Sequence, residues 1–91
     1  MEDDVAQVHL PPPLVNLFPG APRRLEVEAA SVGDLIGQLN QRWPGMRDRL
    51  CENGPRIRQH INVFVDGERA ALTEPLHSTS IVYILPAVSG G

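Results

Sequence analysis

The chain has 91 residues, of which 42% are hydrophobic and 21% charged, and its formal net charge at pH 7 is −3. These values are ordinary for a globular domain, and a chain of this length can fold around one core without disulfides or a structural metal. The acidic balance argues against a nucleic-acid-binding surface, which requires a basic stripe. No apolar run is long enough to cross a bilayer. Residues 2–4 are acidic, whereas a secretory leader begins with basic residues, so we expect a cytoplasmic protein.

The sequence offers few residues for catalysis. All eight basic residues are arginines, which excludes lysine-based Schiff-base chemistry and a phosphate-loop lysine. The single cysteine, Cys51, excludes an internal disulfide and a cysteine metal cluster, and we interpret it as a packing residue. The histidines at positions 9, 60 and 77 fall in separate segments without metal-ligand spacing, so we predict no metal site.

The first third of the chain is predicted to form two strands. Residues 5–10 alternate in hydrophobicity, and the prolines at positions 11–13 should stop the strand because they lack a backbone donor. Residues 14–22 are predicted to be a loop, and residues 23–28 alternate again. The two strands should form a hairpin. The residues predicted to face inward are Val8, Leu10, Leu25 and Val27, and those predicted to close the core from the loop are Leu14, Leu17 and Phe18.

One convincing helix follows the second strand. Ser31 is the expected N-cap, and Asp34 occupies the acidic position of a capping box. Pro44 and Gly45 should end the helix, and residues 46–50 could add one helical turn. The apolar stripe on one face of the helix consists of Val32, Leu35, Ile36, Leu39 and Trp43.

The last third is predicted to return to strands. Residues 51–55 should be a loop, and residues 60–65 a strand with valines on one face and Asn62 and Phe64 on the other. The dipeptide at positions 66–67 is Asp-Gly, a strong tight-turn signal before a short strand at 68–72. Leu76 should plug the core from the following connection. Residues 81–85 are short, apolar and β-rich, and they predict a final strand that ends at a proline.

The order of these elements predicts an α+β fold. A hairpin, a helix crossing the sheet and returning strands are typical of a ubiquitin-like β-grasp, with a mixed sheet of four to five strands crossed by one main helix. We expect residues 1–85 to form this domain and residues 86–91 to form a flexible C-terminal arm that ends in Gly90 and Gly91. Glycine lacks a side chain, so such an arm can enter a narrow channel in another protein.

Two segments resemble a known family. The ending Val82-Tyr83-Ile84-Leu85-Pro86-Ala87-Val88-Ser89-Gly90-Gly91 and the hairpin at 60–67 resemble the MoaD/ThiS family of ubiquitin-like sulfur carriers. The tail looks closest to the carriers that feed cysteine synthesis, because molybdopterin-synthase small subunits more often have Pro-Pro-Val where this chain has Pro-Ala-Val. The polar residues 77–80 depart from the acidic turn that members often carry there.

The resemblance implies a function for the tail. Gly91, preceded by Gly90, would be activated at its carboxylate and converted to a thiocarboxylate, with no catalytic residue and no cofactor in this chain. The implied partners are an adenylating enzyme that uses ATP and Mg²⁺, a persulfide or sulfide donor, a sulfur-accepting biosynthetic enzyme and a product-releasing metalloprotease. The residues expected to contact partners are Ser89, Val88, Ala87, Pro86, Leu85 and Tyr83.

Other interpretations of the tail stay open. The chain could be a molybdopterin-synthase small subunit or a thiamine-type carrier. It could be a protein modifier that is joined to lysines of target proteins through Gly91, because the same activation step serves both uses. It could also be a structural subunit whose tail inserts into a partner without being activated.

Overall fold

The computed structural model describes residues 5–52 and 56–86, and these residues form a five-stranded sheet with helices packed on one face. The strands follow the order β2-β1-β7-β5-β6, and β3 and β4 form a separate two-stranded ladder. None of the helices in this part of the chain is long and apolar enough to cross a membrane. The elements are β1 (Val5–His9), α1 (Pro12–Leu17), β2 (Arg24–Glu28), α2 (Val32–Arg42), α3 (Met46–Leu50), β3 (Cys51–Glu52), β4 (Arg56–Ile57), β5 (Ile61–Val65), β6 (Glu68–Arg69) and β7 (Ile81–Pro86).

The sheet is mixed because the first and last described strands lie side by side. β1 pairs with β7 in parallel, whereas the β1–β2, β5–β7 and β5–β6 pairs are antiparallel. Strand β7 therefore lies at the centre of the sheet, with a neighbour on each side. This arrangement confirms the predicted β-grasp architecture, with five strands and one main helix.

Helix α2 begins as the sequence predicts. The backbone N–H of Asp34 donates to the Ser31 Oγ at 3.1 Å, which satisfies one of the free donors of the first turn. The Asp34 carboxylate accepts from the backbone N–H of Ala30 at 3.0 Å, one residue before the N-cap. Both side chains thus accept a backbone hydrogen bond, as in a capping box, but Asp34 accepts from the N–H of Ala30 rather than from that of the N-cap Ser31.

The core lies between α2 and the inner face of the sheet. The helix contributes Val32, Leu35, Ile36 and Leu39, each at most 1% exposed, and Trp43 packs at the edge of the same cluster. The inner face of the sheet contributes Ala6, Val8, Val27, Val63, Val65, Val82 and Ile84. Leu76 is 5% exposed, so its predicted role as a core plug is confirmed.

The predicted loop at residues 14–22 is wrong at its start. Helix α1 occupies Pro12–Leu17, with prolines in its first turn, where the missing N–H would have had no helical partner. The helix turns Leu14 into the core and leaves Leu17 52% exposed. Leu14 and Phe18 therefore close the core as predicted, and Leu17 does not.

The remaining differences concern short strands. Residues 51 and 52 form β3 rather than loop, and β6 is limited to Glu68–Arg69. The Asp-Gly turn is confirmed, because both of its residues have positive φ, 51° and 88°, as a two-residue hairpin loop requires. Strand β7 includes Pro86, whose Cα pairs with Ile61, so the strand runs one residue further than predicted.

Candidate functional site

Strand β7, which leads to the C-terminal tail, has one buried face and one exposed face. Val82 and Ile84 are fully buried, whereas Ile81, Tyr83 and Leu85 are 39%, 42% and 40% exposed. Tyr83 and Leu85, which are among the residues predicted to contact partners, are therefore accessible to a partner. Alternation along a strand places these three side chains on the sheet face opposite α2, which we call the outer face.

A continuous row of side chains crosses the outer face through Tyr83. Its Cα partners are His9 on β1 and Phe64 on β5, and these pair in turn with Arg24 on β2 and Arg69 on β6. Paired residues point to the same face of a sheet, so all five belong to one surface. We call Arg24, His9, Tyr83, Phe64 and Arg69 the cross-sheet row. Its centre is aromatic and each end is an arginine.

The His9 and Tyr83 rings stack in the middle of this row. Their centroids are 4.2 Å apart and their planes differ by 10°. Stacking fixes the orientation of Tyr83, so less side-chain entropy is lost when a partner docks. An exposed tyrosine held in this way is typical of a binding anchor.

A cleft of about 480 Å³ lies on one side of the row. It is lined by His9, Leu10, Pro11, Pro12, Arg23, Arg24, Tyr83 and Leu85. The stacked rings and Leu85 line it together with the two arginines and the start of α1. None of these eight residues is acidic, so the cleft is positive and partly apolar.

The register of β7 fixes where the tail leaves the domain. Pairing with β1 and with β5 holds Tyr83 from both sides, and pairing with β5 continues to Pro86. The start of the strand is tied to the β5–β6 turn, because the Asp66 Oδ1 accepts from the Ile81 backbone N–H at 2.9 Å. Pro86 is exposed at the last described position. The predicted tail residues Ala87, Val88, Ser89, Gly90 and Gly91 lie outside the described residues.

The single cysteine lies apart from this surface. Cys51 is 5% exposed and pairs with Ile57 in the short β3–β4 ladder. Burial raises the pKa of its thiol, and the positive charges of Arg47 and Arg58 lower it by a lesser amount. A buried thiol with a raised pKa is a poor nucleophile, which supports the packing interpretation.

No metal centre is formed by the described part of the chain. Within residues 5–52 and 56–86, no three side chains of His, Cys, Asp or Glu are grouped so that they could hold a metal ion. His9 belongs to the stacked pair on the outer face, and His60 and His77 are exposed at other places in the fold.

His9, Phe64 and Arg24 are not among the residues that the sequence predicts for the candidate site. Each residue occupies an outward position of its own strand, a signal that was available in the sequence. What joins them is the pairing of β1 with β7 and of β7 with β5, which follows from topology and not from any local pattern.

Comparisons with known proteins agree with this fold. A model of the ThiS family matches residues 17–91. Small archaeal modifier protein 1 of Haloferax volcanii is 35% identical over 69 residues, which cover 75% of this chain and 79% of the relative. The crystal structure of SAMP1 from the same organism has a TM-score of 0.77 at 29% identity, covering 96% of this chain and 99% of that chain.

A bacterial structure is also similar. A chain of the Amycolatopsis orientalis BexX/CysO complex has a TM-score of 0.83 at 28% identity, covering 94% of this chain and 99% of that chain. The relative with 35% identity is named a small modifier protein. The protein therefore belongs to the ThiS family, within the group of small ubiquitin-like sulfur carriers and modifiers.

Proposed function

We propose that the protein is a sulfur carrier whose Gly91 carboxylate is adenylated by a partner enzyme and converted to a thiocarboxylate. The observation that carries this proposal is the position of β7. The strand is held in the centre of the sheet, it exposes Tyr83 and Leu85, and it ends at Pro86, five residues before Gly91. A rigid docking surface thus lies on the strand that directly precedes the tail sequence.

The chemistry requires activation because a carboxylate is a poor acyl donor. One oxygen of the Gly91 carboxylate attacks the α-phosphorus of ATP, pyrophosphate leaves, and an acyl-adenylate forms. A sulfide sulfur then attacks the carbonyl carbon, and AMP leaves with the bonding electron pair. When the donor is a cysteine persulfide, the product is an acyl disulfide, and a second thiol must reduce it to the thiocarboxylate. The ATP and Mg²⁺ belong to the partner enzyme.

Four residues from position 86 onward have a stated role in this proposal. Five residues can extend at most about 17 Å beyond Pro86, which lets Gly91 reach an active site while the outer face is docked. Gly90 and Gly91 keep the end of the tail thin. Val88 supplies an apolar anchor, and Pro86 restricts the backbone where the tail begins.

We favour an enzyme of cysteine biosynthesis as the sulfur acceptor. The tail sequence around Ala87 supports it. The molybdopterin and thiamine pathways are the alternatives within the same chemistry. They differ in the enzyme that accepts the sulfur, not in the activation of Gly91.

A protein modifier is the second candidate function. It is favoured by the relative at 35% identity, which is named small archaeal modifier protein 1. In this case an amine of a target protein, rather than sulfide, attacks the activated Gly91 carbonyl and forms an amide bond. The two functions share the first step and can coexist in one protein.

Intact mass spectrometry tests the proposal. The full chain is incubated with its adenylating enzyme, ATP, Mg²⁺ and sulfide, and a Gly91-deleted chain is the matched control. We expect a mass gain equal to replacing one oxygen by one sulfur, seen only in the full chain. An unchanged mass, with an enzyme shown to be active on another carrier, would instead favour a structural subunit. Conjugates in cell extract that disappear when Gly91 is deleted would favour the modifier.

A further inference from the structure

The two ends of the cross-sheet row differ in their surroundings. Arg24 and Arg69 each lie two strands from Tyr83, at about 10 Å on either side for ordinary strand spacing. Arg24 lines the cleft described above, together with Arg23, Tyr83 and Leu85, whereas Arg69 does not line it. The outer face is therefore asymmetric. The cleft beside Arg24 contains Tyr83 and Leu85, whereas Arg69 lines a separate cleft of about 420 Å³ that contains neither of them.

We propose that the adenylating partner inserts an acidic segment with one bulky apolar side chain into this cleft. The inference rests on the proposed function and specifies the chemistry of its docking step. The apolar side chain would pack against Tyr83 and Leu85, which are both about two-fifths exposed in the free protein. The carboxylates would pair with Arg23 and Arg24, since a guanidinium binds a carboxylate in a planar, bidentate geometry.

The charges along β2 define the direction of the bound segment. Arg24, Glu26 and Glu28 alternate with the inward residues of the strand, so all three lie on the outer face. The potential thus changes from positive at the start of β2 to negative at its end. A bound segment whose acidic residues lie beside Arg24 would pair with the positive end of β2 and keep its carboxylates away from Glu26 and Glu28.

The same charges disfavour a nucleic acid or an anionic membrane as the occupant. Such a polyanion would place phosphates along the whole face, including the part next to Glu26 and Glu28. The formal net charge of the chain is also −3. A peptide segment with a local acidic group fits the cleft without meeting these carboxylates.

Binding of the adenylating enzyme to matched charge variants tests the inference. Arg24→Glu and Arg69→Glu introduce the same charge change at equal distance from Tyr83, and both positions are exposed. We expect Arg24→Glu to weaken the Kd by about tenfold or more and to reduce its dependence on salt, while Arg69→Glu changes it by less than about threefold. The neutral variant Arg24→Gln should give an intermediate loss. Thermal unfolding of each variant controls for folding.

Three results would overturn the inference. Equal weakening by Arg24→Glu and Arg69→Glu would show that only the overall charge matters. Unchanged binding of Arg24→Glu would show that the cleft receives no acidic group. Both results would leave the sulfur-carrier proposal intact. Failure of the wild-type chain to bind an enzyme that is active on another carrier would overturn the inference and the proposed function together.

Discussion

Tyr83 and Ile84 are neighbours on β7 with opposite surroundings, and we expect their truncation to affect different properties. Tyr83 is 42% exposed on the outer face, and Ile84 is fully buried against α2. Tyr83→Ala should impair activation by the partner enzyme and leave the domain folded. Ile84→Ala should destabilise the domain and leave activation nearly unchanged at a temperature where the variant is folded.

The magnitudes follow from burial. Truncation of a fully buried isoleucine to alanine costs about 2–5 kcal/mol, a large part of the roughly 5–15 kcal/mol that stabilises an ordinary domain. For a domain of this size, a loss of about 3 kcal/mol lowers the Tm by roughly 12–24 °C. Tyr83→Ala removes the stack with His9, which contributes about 1 kcal/mol, so its Tm should fall by only about 4–8 °C. Loss of a docking anchor worth about 2 kcal/mol should lower kcat/KM for adenylation about 30-fold.

Two assays on each variant distinguish a docking role from a structural role. Circular dichroism gives the Tm, and ATP-dependent pyrophosphate exchange with the adenylating enzyme at low temperature gives kcat/KM. The docking role of Tyr83 is refuted if Tyr83→Ala lowers the Tm as much as Ile84→Ala does, because Tyr83 would then be a structural residue. It is equally refuted if Tyr83→Ala is activated at the wild-type rate.

Three further predictions concern stability, measured by urea unfolding. Ser31→Ala should lower the free energy of unfolding by about 1 kcal/mol through loss of the N-cap, whereas the exposed control Ser78→Ala should leave it nearly unchanged; equal effects would contradict the capping role. Gly67→Ala should destabilise the domain by about 1 kcal/mol or more, because the φ of Gly67 is 88°. Gly37→Ala in α2 should stabilise the domain by about 0.5–1 kcal/mol, because the added Cβ meets no atom within 4 Å. If both variants changed stability in the same direction, this explanation from backbone conformation would be refuted. Burial raises the pKa of the Cys51 thiol above its ordinary 9.0, so this thiol ionises at lower pH in the unfolded chain than in the folded one. The free energy of unfolding should therefore fall as the pH rises past 9, and it should fall less in Cys51→Ala. Identical pH profiles for the two proteins would exclude Cys51 as the cause.

The sequence was informative at most places where a local pattern decides the structure. The N-cap at Ser31 and the turn at Asp66 depend on residues within four positions of each other, and both form as predicted. The opposite orientations of Tyr83 and Ile84 follow from strand alternation alone. Helix α1 was missed because prolines were interpreted only as strand breakers, although the first turn of a helix accepts them.

The candidate site could be predicted only in part. Local patterns indicate that Tyr83 and Leu85 face outward, but they do not indicate which strands lie beside β7. The pairing of His9 with Tyr83 joins positions 74 residues apart, and only the assembled sheet brings them together. The cleft at Arg23 and Arg24 depends on that pairing and on α1, so neither of these residues could have been assigned to it from the sequence.

The central position of β7 has a mechanical consequence. A partner that draws the tail into its active site applies tension along this strand. The hydrogen bonds to the neighbouring strands run across that direction, so the tension loads them in shear, and three residue pairs with β1 and five with β5 share the force. A strand at the edge of the sheet would have one ladder to resist the same pull. The described domain should therefore keep its shape when a partner pulls on Gly91, because the ladders with β1 and β5 share the force.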